Sequence, residues 1–110
     1  MRIAIIGYGK MGKEIEKIAL DRGHEITLRA SSMHPFKSDD LSTSDVAIEF
    51  SNPKIAVDNI FKCFEGNTPV VVGTTGWYNR FNEVRHECEN SGAALLHATN
   101  FSIGVNLFFQ

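Results

Sequence analysis

The chain has 110 residues, 43% of them hydrophobic and 22% charged, which is the size and composition of one globular domain with a core of its own. A formal net charge of -2, without any run of five or six like charges, argues against DNA or RNA as a partner. The first apolar run, Ile3 to Ile6, is broken at once by Gly7 and Lys10, so it is neither a signal-peptide core nor a membrane span, and a cytoplasmic location is expected.

Taken in chain order, Arg2 to Ile6 is rich in isoleucine and stops at glycine, which predicts a central strand. From Met11 to Arg22 the residues Met11, Ile15, Ile18 and Ala19 recur at helical spacing, and Gly23 supplies a stop. His24 to Ala30 predicts a second strand, and the polar stretch Ser31 to Ser44 with Pro35 predicts a loop. Val46 to Phe50 predicts the third strand, and Asn52 with Pro53 opens a helix running to about Phe64. Pro69 to Val72 predicts strand four, Tyr78 to Asn90 a helix ended by Gly92, and Ala93 to His97 strand five. Strands alternating with helices predict an α/β fold, a doubly wound parallel sheet of about five strands with three helices. Cys63 and Cys88 lack the spacing of a metal or redox motif and are expected to be reduced.

The sharpest motif is Gly7-Tyr8-Gly9-Lys10-Met11-Gly12. It matches G-x-G-x-x-G between a predicted strand and a predicted helix, the context in which that pattern has a mechanism. Gly7 permits a tight turn, Gly9 lets backbone approach a pyrophosphate, and Gly12 lets helix pack closely on strand. The amides and dipole of the helix start then face the anion. This is the fingerprint of a Rossmann-type dinucleotide site. Lys10 and Lys13 either approach the phosphates or are solvated residues of a surface helix.

An NAD site places an acidic residue about 20 residues beyond the turn to hold the adenosine ribose. The second predicted strand ends instead in Arg29, Ala30, Ser31 and Ser32, with no carboxylate before Asp39. Arg29 and Ser31 are therefore candidate groups at the ribose, and the expected cofactor is NADP or NAD, with a lean towards NADP. His34 in the following loop reads as a surface histidine.

Ligands of open α/β sheets bind beyond the carboxyl ends of the strands. Three segments fall there: Phe50-Ser51-Asn52-Pro53, Gly73-Thr74-Thr75-Gly76-Trp77, and Ala98-Thr99-Asn100-Phe101-Ser102-Ile103-Gly104-Val105-Asn106. With the glycine turn, the last two make a set by which the chain resembles the amino-terminal half of the 4-hydroxy-tetrahydrodipicolinate reductase family, over Met1 to Gln110. The resemblance implies an NAD(P)-dependent oxidoreductase of lysine and diaminopimelate biosynthesis, which reduces the cyclic product of aspartate semialdehyde and pyruvate to tetrahydrodipicolinate. It implies that Gly73 and the backbone around Thr99 hold the nicotinamide carboxamide. Thr75 would lie beside the ring and reach substrate, and Phe50 and Ser51 would line the cofactor groove. Thr74, Ala98, Asn100 and Phe101 complete the implied cofactor set, although Gly73 to Gly76 taken alone reads first as an ordinary turn.

Trp77 and Phe101 read as packing residues. Glu49, inside the third strand, and His97, ending the fifth, are tempting as acid–base groups, but the resemblance assigns neither to catalysis. The family's later segment, a histidine pair with lysine and aspartate ahead of an Asp-Ala-Pro-Ser-Gly-Thr-like stretch, has no counterpart among His24, His34, His86 and His97. Residues 1–110 are thus expected to form a dinucleotide-binding domain truncated at its C-terminal end and inactive alone. The parent is expected to be a homotetramer, and the isolated chain to pair through its apolar end, Leu107 to Phe109. Two other readings share the glycine turn: a non-enzymatic dinucleotide-sensing module and the cofactor domain of another amino acid dehydrogenase.

Overall fold

The computed structural model of the chain describes residues 1–97. Five parallel strands form one sheet: β1 (Arg2–Ile6), β2 (Glu25–Ala30), β3 (Val46–Glu49), β4 (Val70–Val72) and β5 (Leu95–His97), in the order β2-β1-β3-β4-β5. Helices α1 (Lys10–Asp21), α2 (Pro53–Glu65) and α3 (Phe81–Ser91) connect them, and the result is the Rossmann-like doubly wound fold expected from the alternation of elements.

The alternation of β1 explains the two layers. Ile3 and Ile5 point to one face, where they join Ile15 and Ala19 of α1 with Val46, Ile48 and Val71. Ala4 and Ile6 point to the other, beneath Ala56, Val57 and Ile60 of α2 and Val84 of α3. Ile3, Ile5 and Ile6 are at most 2% exposed, and each contributes about 1.5–3 kcal/mol by leaving water. Because order reverses at β1, where β2 lies to one side and β3 to the other, a crevice opens above the carboxyl ends of these strands.

Element ends differ from the predicted ones by one to three residues, for hydrogen-bonding reasons. The N–H of His24 closes α1 on the Ala19 carbonyl at 2.9 Å, and that of Ala93 closes α3 on Cys88 at 3.1 Å, so neither residue joins a strand. Gly92 ends α3 in the left-handed conformation at φ +67°. Asn52 caps α2 by accepting the Lys54 N–H at 2.9 Å. Tyr78–Arg80 is a short 3-10 turn ahead of α3 instead of its first α-helical turn.

The predicted loop 31–44 is more structured than its polarity suggests. It holds a 3-10 turn, Ser38–Leu41, and buries Phe36 and Leu41 in the core layer under α2. Lys62 of α2 fastens it, donating to the Phe36 carbonyl at 2.9 Å with its ammonium 4.6 Å from the ring centroid.

Cys63 and Cys88 are free thiols. Burial pushes the Cys63 thiol up to about 12, so it stays protonated and unreactive at neutral pH. An aromatic disulfide reagent at about pH 8 should titrate one thiol, the half-buried Cys88, in the folded chain and both in denaturant; two fast-reacting thiols in folded protein would contradict the packing around Cys63. Among the described residues no helix is long and apolar enough to cross a membrane.

Candidate functional site

The crevice at the switch point is a cavity of about 750 Å³. One wall is the turn from β1 to α1, contributed by Gly7, Tyr8, Gly9, Lys10 and Met11, and the opposite wall is Phe50, Ser51 and Asn52 after β3. Ser31, Ser32, Met33, Pro35 and Phe36 close the end beyond β2.

The turn is built by contacts that exclude side chains. Gly7 sits at φ +100°, and a Cβ there would lie 1.9 Å from the Phe50 carbonyl oxygen. Its N–H donates to the Ala30 carbonyl at 2.8 Å, so the turn is tied to β2 as well as pressed against the end of β3. A Cβ at Gly12 would lie 2.3 Å from the Gly7 carbonyl oxygen. At Gly9 a Cβ would meet nothing within 4 Å, because that Cα faces the open cavity. Gly9 is also the N-cap of α1, with no side chain capping the helix and no acidic residue in its first turn. The first-turn amides lack the internal partner that Asn52 gives α2, and such amides at a cavity mouth are suited to an anion.

Tyr8 turns its hydroxyl away to donate to Glu16 of α1, which also accepts from Arg29. This pairing holds the Glu16 carboxyl below the usual carboxylate range, the Tyr8 hydroxyl being the largest cause. Arg29 is therefore engaged with α1 and does not line the cavity. The reason is a register shift in the pairing of β1 with β2: Ile3 faces Ile26 but Ala4 faces Leu28, leaving Thr27 as an extra residue. Beyond that bulge Arg29 pairs with Ile5, on the α1 face, and Ala30 with Ile6, on the other. Thr27 holds the bulge by donating to the Ile3 carbonyl at 3.2 Å and sharing a hydrogen bond with Ser44 at 2.7 Å. Ser31 lies in the cavity wall.

Gly73, Thr74 and Thr75 follow β4, the strand beside β3. Gly73 donates to the Glu49 carbonyl at 2.8 Å. Thr74 is buried and Thr75 exposed. None of the three lies in the wall of the main cavity; they extend the same strand-end edge sideways. Ala98, Thr99, Asn100 and Phe101 lie outside the described residues. Trp77 packs as predicted, 1% exposed, its ring 6.0 Å from that of Phe81. His97 joins the same aromatic group, 5.4 Å from Phe81 between ring centroids.

Two contributions to the cavity were not singled out in the sequence. One is a stripe of α2, with Ile55, Asp58, Asn59 and Lys62 following Asn52; the spacing of three and four was available to reveal it once a helix starting at Pro53 was placed under the crevice. The other is the group Met33, Pro35 and Phe36, for which no periodic signal exists. Lys13 stands 5.7 Å from the centroid of the Tyr8 ring, outside the cavity wall, whereas Lys10 is part of it.

Glu49 ends β3 directly behind this site and is fully buried. Thr74 donates to it at 2.5 Å and Asn59 at 2.9 Å, and Ser51 donates as well. Burial raises its carboxyl above the ordinary value, against the opposing pull of these three donors.

The family model for the dihydrodipicolinate reductase N-terminus matches residues 1–101. A 4-hydroxy-tetrahydrodipicolinate reductase of Christiangramia forsetii is 44% identical over 112 residues, covering 100% of this chain and 46% of the relative. One from Staphylococcus carnosus is 32% identical over 115 residues, covering 97% of this chain and 46% of its own. The chain thus spans about half the length of the curated relatives it matches. Among solved structures, a dipicolinate-bound dihydrodipicolinate reductase from Paenisporosarcina sp. TG-14 superposes with a TM-score of 0.72 at 21% identity, over 94% of this chain and 49% of that one, a likeness of fold.

Proposed function

The chain belongs to the family of dihydrodipicolinate reductase N-terminal domains, and on that premise we propose that it is the NAD(P)H-binding part of an oxidoreductase that reduces 4-hydroxy-tetrahydrodipicolinate to tetrahydrodipicolinate in lysine and diaminopimelate synthesis. One observation carries the cofactor reading: Gly9 faces the cavity with room at its Cα, at the uncapped start of α1, between two glycines whose Cα atoms touch neighbouring backbone. A pyrophosphate on the first-turn amides of α1 fits that arrangement, with Lys10 supplying a cation at the same wall.

The rest of the dinucleotide then follows the crevice. The adenosine half runs over Phe50 and Ser51 towards Ser31, Ser32 and the α2 stripe. The nicotinamide half runs towards Gly73, Thr74 and Thr75, and on to residues 98–101. The reduced nicotinamide, when bound, supplies the hydride. The protein's part at that end is orientation, through short hydroxyls and glycine backbone that admit a flat ring. Substrate, acid–base groups and tetrameric assembly belong in this reading to the whole enzyme.

Cofactor choice turns on the end of β2. Ser31 and Ser32 offer hydroxyls there, and Asp58 supplies a carboxylate to the cavity wall. Arg29 meets a 2′-phosphate only by exchanging Glu16 for it, so the preference for NADPH is modest. Titration of the folded chain with NADPH and with NADH, by calorimetry or nicotinamide fluorescence, should show both bound, NADPH the tighter by less than about tenfold. Binding of neither cofactor by a folded sample would remove the cofactor assignment; tighter NADH would reverse the preference.

A further inference from the structure

Among the described residues Glu49 is the only charged side chain that is buried, and it is 0% exposed. Its strand otherwise reads Val-Ala-Ile, the apolar run that a sheet covered on both faces calls for, so packing alone would place another aliphatic residue here. A buried carboxylate costs free energy unless fully hydrogen-bonded. Glu49 is bonded on both oxygens, by donors from three separate segments: Ser51 two positions on, Asn59 in α2 and Thr74 beyond β4. We propose that Glu49 is a positioning residue of the cofactor site, whose carboxylate fixes the strand-end segments 50–52 and 73–77 against each other and against α2. The inference rests on the cofactor reading above.

The bonds around it form a closed set. The Ser51 N–H donates to the Thr74 hydroxyl oxygen at 2.8 Å, so Thr74 receives from one segment and donates to Glu49. The Trp77 indole N–H donates to the Thr74 carbonyl at 2.6 Å, which ties the far end of the 73–77 segment to the same residue. Ser51 and Asn59 line the cavity and Glu49 does not. The carboxylate acts through them. All three partners donate, an arrangement that an ionised carboxylate completes and a carboxamide, which carries two donors of its own, cannot reproduce.

The energetics separate this role from a structural one. Because burial raises the folded-state pKa of Glu49, the folded chain holds that proton more tightly than the unfolded chain. The stability contributed by this group is therefore fully present below the unfolded value and is lost as pH rises through the folded one. Ionisation of this group therefore works against folding.

The test compares the full chain with Glu49→Gln and Glu49→Asp, reading thermal midpoint, NADPH affinity and the emission of Trp77, the single tryptophan. Glu49→Gln should melt within about 5 °C of the parent, bind NADPH about tenfold more weakly, and shift Trp77 emission as the 73–77 segment loosens. Glu49→Asp, which keeps the charge, should recover part of both signals. A folded Glu49→Gln with parental emission and affinity within about twofold overturns the proposal, as does an aspartate variant no better than glutamine. If the parent itself binds neither cofactor, it is the cofactor reading that fails, and the emission still shows whether Glu49 holds the segments.

Discussion

Replacing Gly7 with alanine should cost the fold about 3 kcal/mol or more, lowering the melting midpoint by about 12 °C or more for a chain of this size. The residue holds φ +100°, and its Cα is pressed against the end of the neighbouring strand, where a Cβ would lie 1.9 Å from the Phe50 carbonyl oxygen and 2.5 Å from its carbon. Backbone strain at such a φ costs about 1–3 kcal/mol, and overpacking a further 1–3 kcal/mol or so. Neither obstacle is a flexible side chain that can swing aside. Relief requires β1 and β3 to part at their carboxyl ends, which also opens the cavity. Thermal or urea denaturation of Gly7→Ala measures the effect, and a midpoint within a few degrees of the parent would show that the turn is free to move.

Gly9→Ala should do the opposite: fold normally and bind cofactor about 10- to 100-fold more weakly. A methyl at Gly9 meets nothing within 4 Å, and at a helix N-cap the exchange of glycine for alanine costs well under about 1.5 kcal/mol. In the proposed cofactor site the added group would stand in the path of the pyrophosphate and separate it from the α1 amides. Losing one hydrogen bond to a charged group removes about 1.5–3 kcal/mol, which is that range in affinity. The pair of variants divides the G-x-G-x-x-G motif by function, its first glycine serving the fold and its second the ligand. Parental NADPH affinity in Gly9→Ala would place the pyrophosphate elsewhere.

Most of the fold was legible because its elements are local. Ile3 to Ile6, the α1 periodicity from Met11, the Asn52-Pro53 start and the Gly92 stop each carry their cause within a few residues, and the glycine turn carries both a structural and a chemical one. The departures have non-local causes. Arg29 was expected at the ribose, but its direction is set by the bulge at Thr27 and its partner by Glu16, which lies on a different element. Phe36 and Leu41 are isolated apolar residues in a polar stretch, and only the placement of α2 above them makes them core. Glu49 read only as a tempting acid–base group within a strand, since its three partners follow it at 2, 10 and 25 positions, which is no helical or strand period. The segment Gly73 to Thr75 was identified by its resemblance; the structure adds that it is held to β3 through Glu49 at both backbone and side chain.

The position of β1 bears on how the chain acquires its function during synthesis. This strand precedes both of its neighbours in the sequence, β2 ending at Ala30 and β3 at Glu49. The glycine turn depends on both, through the Gly7 N–H on Ala30 and the approach of Gly7 to Phe50. A nascent chain that has exposed the whole glycine motif therefore still lacks the surfaces that shape it. Such deferred, long-range pairing makes parallel sheets slow to assemble, and a cavity built on the ends of β1, β2 and β3 forms only once the last of the three has joined the sheet.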